Sequence, residues 1–270
     1  MTVTTSPSSA QWRGRELDTR TIGYDERDAI LYALAVGAGA TDLDLVFEDR
    51  LRVLPTFALT LAQWAPDALG ALGAFDTSTA LHGSQSLEVL RPLPRSGEIT
   101  MSARVGEVWD KGRAAVFEVV VESDFFVATW SLFAPGSGGF GGERGPSTPA
   151  APEGEADAVG TLVTRPDQAA LYRLTGDRHH IREAAAAAAR IGQPRPILHG
   201  LCTLAATTLP LAEMLGAHPA DLRRLEGRFA APVFPGDTAQ VRAWGDMRDA
   251  RFDVVTEAGA VLSGGHAAFV

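Results

Sequence analysis

The sequence predicts an α+β protein built from two copies of one unit, each with helices followed by antiparallel strands. Three observations predict it. Segments of the first half recur in the second in the same order, 140 to 144 residues later. A stretch dense in Gly, Pro and Ser, residues 135–155, divides the chain into parts of similar size. Each part ends in β-rich runs such as VFEVVV (116–121) and FDVVT (252–256).

The elements follow in order. Residues 1–19 are polar and are expected to form a flexible N-terminus. The first unit covers 20–134 and the second 156–270. LYAL (31–34) matches LYRL (171–174), and both read as short amphipathic helices opening their half. VLPTF (53–57) matches ILHGL (197–201), and each leads into an apolar helix, predicted over 57–64 and 200–215. RPLPRSGE (91–98) matches APVFPGD (231–237). DKGR (110–113) reads as a hairpin turn.

Composition bounds the function. Of 270 residues, 46% are hydrophobic and 21% charged, ordinary for a globular chain. A net charge of −9 argues against nucleic acid as a partner. No apolar run is long enough for a membrane helix, so no membrane partner is expected. A single cysteine, Cys202, and the lack of an apolar core in residues 1–13 point to the cytoplasm. Cys202 lies on an apolar helix and reads as buried and inert. Metal-ligand spacing, a dinucleotide-binding glycine pattern and a nucleophile elbow are all missing, so no metal and no cofactor are expected.

The segment from Asp167 to Leu204, DQAALYRLTGDRHHIREAAAAAARIGQPRPILHGLCTL, resembles the hydratase segment of the MaoC-like, (R)-specific enoyl-CoA hydratase/dehydratase family. The first half resembles the non-catalytic half of its two-domain members through YDERDAILYALAVGAG, VLPTFALTLA and LHGSQSLEVLRPLPRSG. The resemblance implies a double hot-dog fold, two tandem units that each wrap an antiparallel sheet around a central helix. It implies that the first unit holds the acyl chain and the second carries the chemistry. The implied reaction is hydration of a trans-2-enoyl thioester or dehydration of the (3R)-hydroxyacyl form, with acyl-CoA or an acyl carrier protein as carrier. A homodimer and a hetero-oligomer both remain open.

The family's active segment has the form G-D-x-[N/H]-x-x-H-x-D. Here Gly176-Asp177 is present, but the histidine position holds Arg182 and the following aspartate position holds Ala184. An arginine does not act as a base, because its pKa exceeds ~12. Asp177 remains the base, or else caps a helix. His180, or its neighbour His179, becomes the auxiliary acid/base if the backbone shifts around the departed turn, and otherwise both are polar loop residues. His199-Gly200 opens the second long helix. Unpaired N–H groups there, with a glycine that lets the thioester approach, make an oxyanion site. Its counterpart Pro55-Thr56 lacks one N–H and carries a side chain, which assigns chemistry to the second half only. Arg182, His179 and His199 are also read as substrate-binding. His82 and Gln85 are read as structural. A catalytically weak or inactive acyl-thioester-binding protein or partner subunit is the alternative, as is a repurposed hot-dog isomerase or cyclase.

Overall fold

The structure is a computed structural model that describes residues 8–147, 152–178 and 195–270. After β1 (Glu16–Tyr24) comes α1 (Glu26–Ala35). Its start is fixed by a reciprocal cap in which the Asp25 and Asp28 carboxylates each accept the other's backbone N–H. A short α2 (Leu43–Val46) leads to α3 (Phe57–Leu61) and α4 (Trp64–Ala71). Four strands follow, β2 (Leu81–Val89) and then a meander of β3 (Gly97–Asp110), β4 (Ala114–Ser123) and β5 (Phe126–Pro135). The second half repeats the order with β6 (Ala158–Val163), α5 (Gln168–Leu174) and α6 (Gly200–Met214). It closes with β7 (Leu222–Phe229), β8 (Thr238–Asp246), β9 (Asp249–Thr256) and β10 (Gly259–Phe269).

All ten strands form one antiparallel sheet in the order β1-β3-β4-β5-β2-β7-β10-β9-β8-β6. The order is its own mirror image when each strand is exchanged for the strand five later. The sequence repeat is therefore a structural pseudo-two-fold, and β2 and β7 pair across the junction, with Gln85 opposite Gly227. Strand burial alternates, as in Met101, Ala103 and Val105 of β3, so one face of the sheet closes on the helices. α6 is buried from Leu201 through Thr208 and again at Leu211 and Ala212. The equivalent Tyr32 and Tyr172 meet between the halves with ring centroids 6.1 Å apart, each fully buried.

Three expectations are corrected. The N-terminal stretch expected to be flexible holds a helical turn at Ser9–Trp12 and the start of β1 at Glu16. The single helix over 57–64 is two helices, α3 and α4, interrupted at Ala62-Gln63. Pro66 explains the break: its ring collides with the carbonyl four residues earlier, that of Ala62, and it offers no N–H. The Gly-rich stretch after β5 is also more than a tether. Asp110, in the 110–113 turn, accepts backbone N–H bonds from Gly139 and Gly141 as well as Gly112, at 2.8–2.9 Å. Residue 145 rests on the Trp109 ring, and Phe140 packs against the core. Backbone N–H donors, Gly139 foremost with Gly112, Gly141 and Gly142, hold the Asp110 carboxyl down at about 2.

Candidate active site

α5 ends at Leu174 and the chain turns through Gly176, whose φ of +133° is open to glycine but strained for other residues. That turn sends Asp177 inward, where its side chain is 5% exposed. α6 begins at the same place. His199 is its N-cap and is completely buried, with a backbone that turns into the helix without a side-chain cap. His199 Nε2 lies 3.8 Å from Asp177 Oδ1, in ion-pair range and longer than a hydrogen bond. The first N–H groups of α6, starting with Gly200, lack intrahelical acceptors and lie at the positive end of the helix dipole.

The walls come from both halves. The Tyr172 ring lies 5.1 Å from the His199 ring. Its hydroxyl is 3.4 Å from Thr60 Oγ1 on α3, which also stands against Gly176. Burial pushes the Tyr172 phenol well up, and the neighbouring Tyr32, Asp177 and Cys202 add to the rise, so it stays neutral. Burial likewise raises the Cys202 thiol, which is fully buried. At Gly200 a Cβ would stand 3.1 Å from the Phe229 ring, a tight contact that a side chain could enter only if the ring gave way by a few tenths of an ångström. Phe229 in turn packs against His82 in a tilted arrangement, ring centroids 4.7 Å apart.

Of the residues singled out from sequence, Asp177, His199 and Gly200 are brought together. His179, His180 and Arg182 lie outside the described residues. His82 and Gln85 sit on β2, His82 bracing Phe229 and Gln85 buried at the junction. The placement of the His199 imidazole beside Asp177 was not legible in the sequence, and nor was the intrusion of Thr60 from the first half. Both depend on α3, α5 and α6 converging in space.

A carboxylate, an imidazole and the N-terminal N–H groups of α6 in one buried place meet the needs of water addition across an α,β-unsaturated thioester. Such a reaction requires proton transfer at water and at C2, with donors for the thioester oxygen. Comparison with known proteins agrees. The family model described as the MFE-2 hydratase 2 N-terminal domain matches residues 23–126, and the MaoC like domain matches 147–264, one on each half. A 3-hydroxyacyl-thioester dehydratase Y of Mycobacterium tuberculosis is 38% identical over 82% of this chain and 82% of its own. The chain belongs to the MaoC-like (R)-specific enoyl-CoA hydratase/dehydratase family. A second relative in this family, enoyl-CoA hydratase ChsH3 of the same organism, is 36% identical over 93% of this chain and 95% of its own. Among solved MaoC-like structures, a dehydratase from Phytophthora capsici superposes with a TM-score of 0.85 at 27% identity, covering 95% of this chain and 96% of that one. A Mycobacterium tuberculosis protein described as a double hotdog fold matches with a TM-score of 0.58 at 14% identity, which shows the fold alone. The tandem MaoC-like arrangement is thus the double hot-dog expected from the sequence.

Proposed function

We propose that the protein catalyses the reversible hydration of trans-2-enoyl thioesters to (3R)-hydroxyacyl thioesters, with the chemistry confined to the second half. The observation that carries this reading is the buried Asp177–His199 contact at the N-terminus of α6. Asp177 takes the proton from water as oxygen attacks C3. His199 positions that carboxylate and shares the transferred proton. The Gly200 N–H receives the thioester oxygen as negative charge builds on it. The Asp177–His199 pair returns the proton taken from water to C2, which completes a syn addition, and dehydration reverses the same steps.

The acyl tail runs toward the first half, where the interruption between α3 and α4 replaces a continuous helix. The carrier is coenzyme A or an acyl carrier protein, in keeping with the thioester names of the relatives. A cytoplasmic setting belongs to this reading and is supported by a sequence with a single cysteine. The departed motif favours a slow enzyme: losing one positioned acid/base costs ~10²–10⁴-fold.

The test is incubation of the purified full chain with trans-2-enoyl-CoA of several lengths, following loss of enoyl absorbance and resolving the product's stereochemistry. Formation of the (3R) product supports the reading. Tight acyl-CoA binding without turnover at any length would instead establish the binding-protein alternative.

A further inference from the structure

The pseudo-two-fold lets each core position of one half be compared with its equivalent in the other. On β2 and β5 the inward-facing Gln85 and Trp130 stand directly opposite one another. At the offset that relates Pro92 to Pro232, Gln85 falls on Leu225, and Leu225 stands opposite Ala267 across β7 and β10. The second half fills this position with apolar side chains, so the fold does not require polar groups there. The first half places an amide and an indole in it, 2% and 0% exposed.

Neither group is satisfied. Gln85 Nε2 donates to the Ser86 carbonyl at 2.8 Å, which fixes the amide and leaves Oε1 as an acceptor. Gln85 Oε1 and Trp130 Nε1 have no hydrogen-bond partner among the described residues. Buried polar atoms of folded proteins are nearly all paired, and an unpaired one is costly. Here an acceptor and a donor are left over on directly opposed residues, whose Cβ atoms lie within ~4.5–5.5 Å of each other.

The pair lies toward the path assigned to the acyl tail. Gln85 is opposite Gly227 across the β2–β7 junction, and an added Cβ at Gly227 would stand 2.8 Å from Leu204 Cδ1. Leu204 is about one turn along α6 from Gly200, or ~6 Å. Gln85 and Trp130 thus stand beyond the proposed thioester site, on the side of the first half.

A ligand group that satisfies both must donate to Gln85 Oε1 and accept from Trp130 Nε1. A hydroxyl does both. A ketone or ether oxygen serves Trp130 alone, an ammonium serves Gln85 alone, and an alkyl chain serves neither. We propose that the first half recognises a hydroxyl on the acyl chain beyond C3, so that hydroxylated enoyl thioesters are preferred over plain alkyl ones. This deepens the hydratase reading and rests on it for the place of the thioester. Both atoms are shielded from solvent, so the side chains over them move aside as the hydroxyl enters, and the two hydrogen bonds gained favour that movement.

The experiment compares trans-2-decenoyl-CoA with a series carrying one hydroxyl at successive carbons from C6 to C10, on the full chain, reading kcat/KM. One position should exceed the plain chain by at least ~10-fold, because a site built to bond a hydroxyl discriminates against the analogue that leaves it unpaired. The ketone at that carbon should fall between the two. Gln85→Leu installs the residue of the second half, and Trp130→Phe removes the N–H and keeps an aromatic ring. Each should bring the ratio close to one, with melting curves as the control for folding. If either variant fails to fold, the other and the wild-type series decide. A wild type that hydrates none of the series defeats the hydratase reading, and the ratio is then read as affinity for decanoyl-CoA against its hydroxylated forms. A series with no position preferred over the plain chain, in rate or in binding, overturns the proposal, and so does a preference that survives the substitutions.

Discussion

Asp177 and His199 lie on opposite sides of the segment 178–198, yet their side chains come within 3.8 Å in a place where both are buried. The end of α5 and the start of α6 create that contact, and in the proposed mechanism the imidazole acts through the carboxylate. In His199→Gln we expect kcat to fall by ~10²-fold with little change in KM, and the pH-rate profile to lose one limb. A purely structural role would lower the melting temperature and leave the profile of the surviving activity unchanged.

The Phe229 ring crowds Gly200, standing 3.1 Å from where a Cβ would be. Gly200→Ala keeps the N–H but narrows the approach to it. Turnover should fall by ~10-fold or more, with bound acyl-CoA weakened. Gly200→Val pushes Phe229 against His82 as well and should also lower the melting temperature. Full activity in the alanine variant would remove the start of α6 from the mechanism.

By its spacing from Gly176-Asp177, Arg182 is read at the place of the family's histidine. Arg182→His should raise hydration of a short enoyl-CoA, and only in part, because Ala184 stands where the family has an aspartate. His180→Ala should leave wild-type activity unchanged if His199 supplies the imidazole. Abolished activity in His180→Ala would transfer that role to His180.

The Asp110 carboxyl is held at about 2 by its backbone donors, below the ordinary carboxylate value. A depressed carboxylate adds stability that is complete above the unfolded value near ~4 and is lost as pH falls toward about 2. Docking of residues 136–145 on the β3–β4 hairpin should therefore loosen in that window. Hydrogen exchange at Gly139 and Gly141 reads it directly. Asp110→Ala should show the fast exchange at neutral pH and lose further acid sensitivity there.

Cys202 is buried, with its thiol raised by burial. It should resist thiol reagents in the native chain and react completely after denaturation. Rapid native labelling would show that α6 opens around it.

The repeat, the hairpin at 110–113 and the two families of strands were legible because they rest on local chemistry: β-branched alternation, turn residues and matched order. The break between α3 and α4 was also written locally, in Pro66, and the apolar pattern across it masked the signal. Asp110's hold on Gly139 and Gly141 was not legible, because Gly/Pro density describes a chain without side-chain anchors while the anchor lies on a distant turn. At the site, Asp177 and Gly200 followed from resemblance and from helix-terminus physics. The placement of His199 against Asp177, with Tyr172 and Thr60 around it, required the tertiary meeting of three helices.

The most direct measurement of the central claim is the hydration rate of Asp177→Asn on a trans-2-enoyl-CoA that wild type turns over. The change preserves shape and removes the base. We expect kcat to drop by ~10²–10⁴-fold with substrate binding and melting temperature close to wild type. A rate within a few-fold of wild type would contradict the account and place the proton transfer on groups other than Asp177.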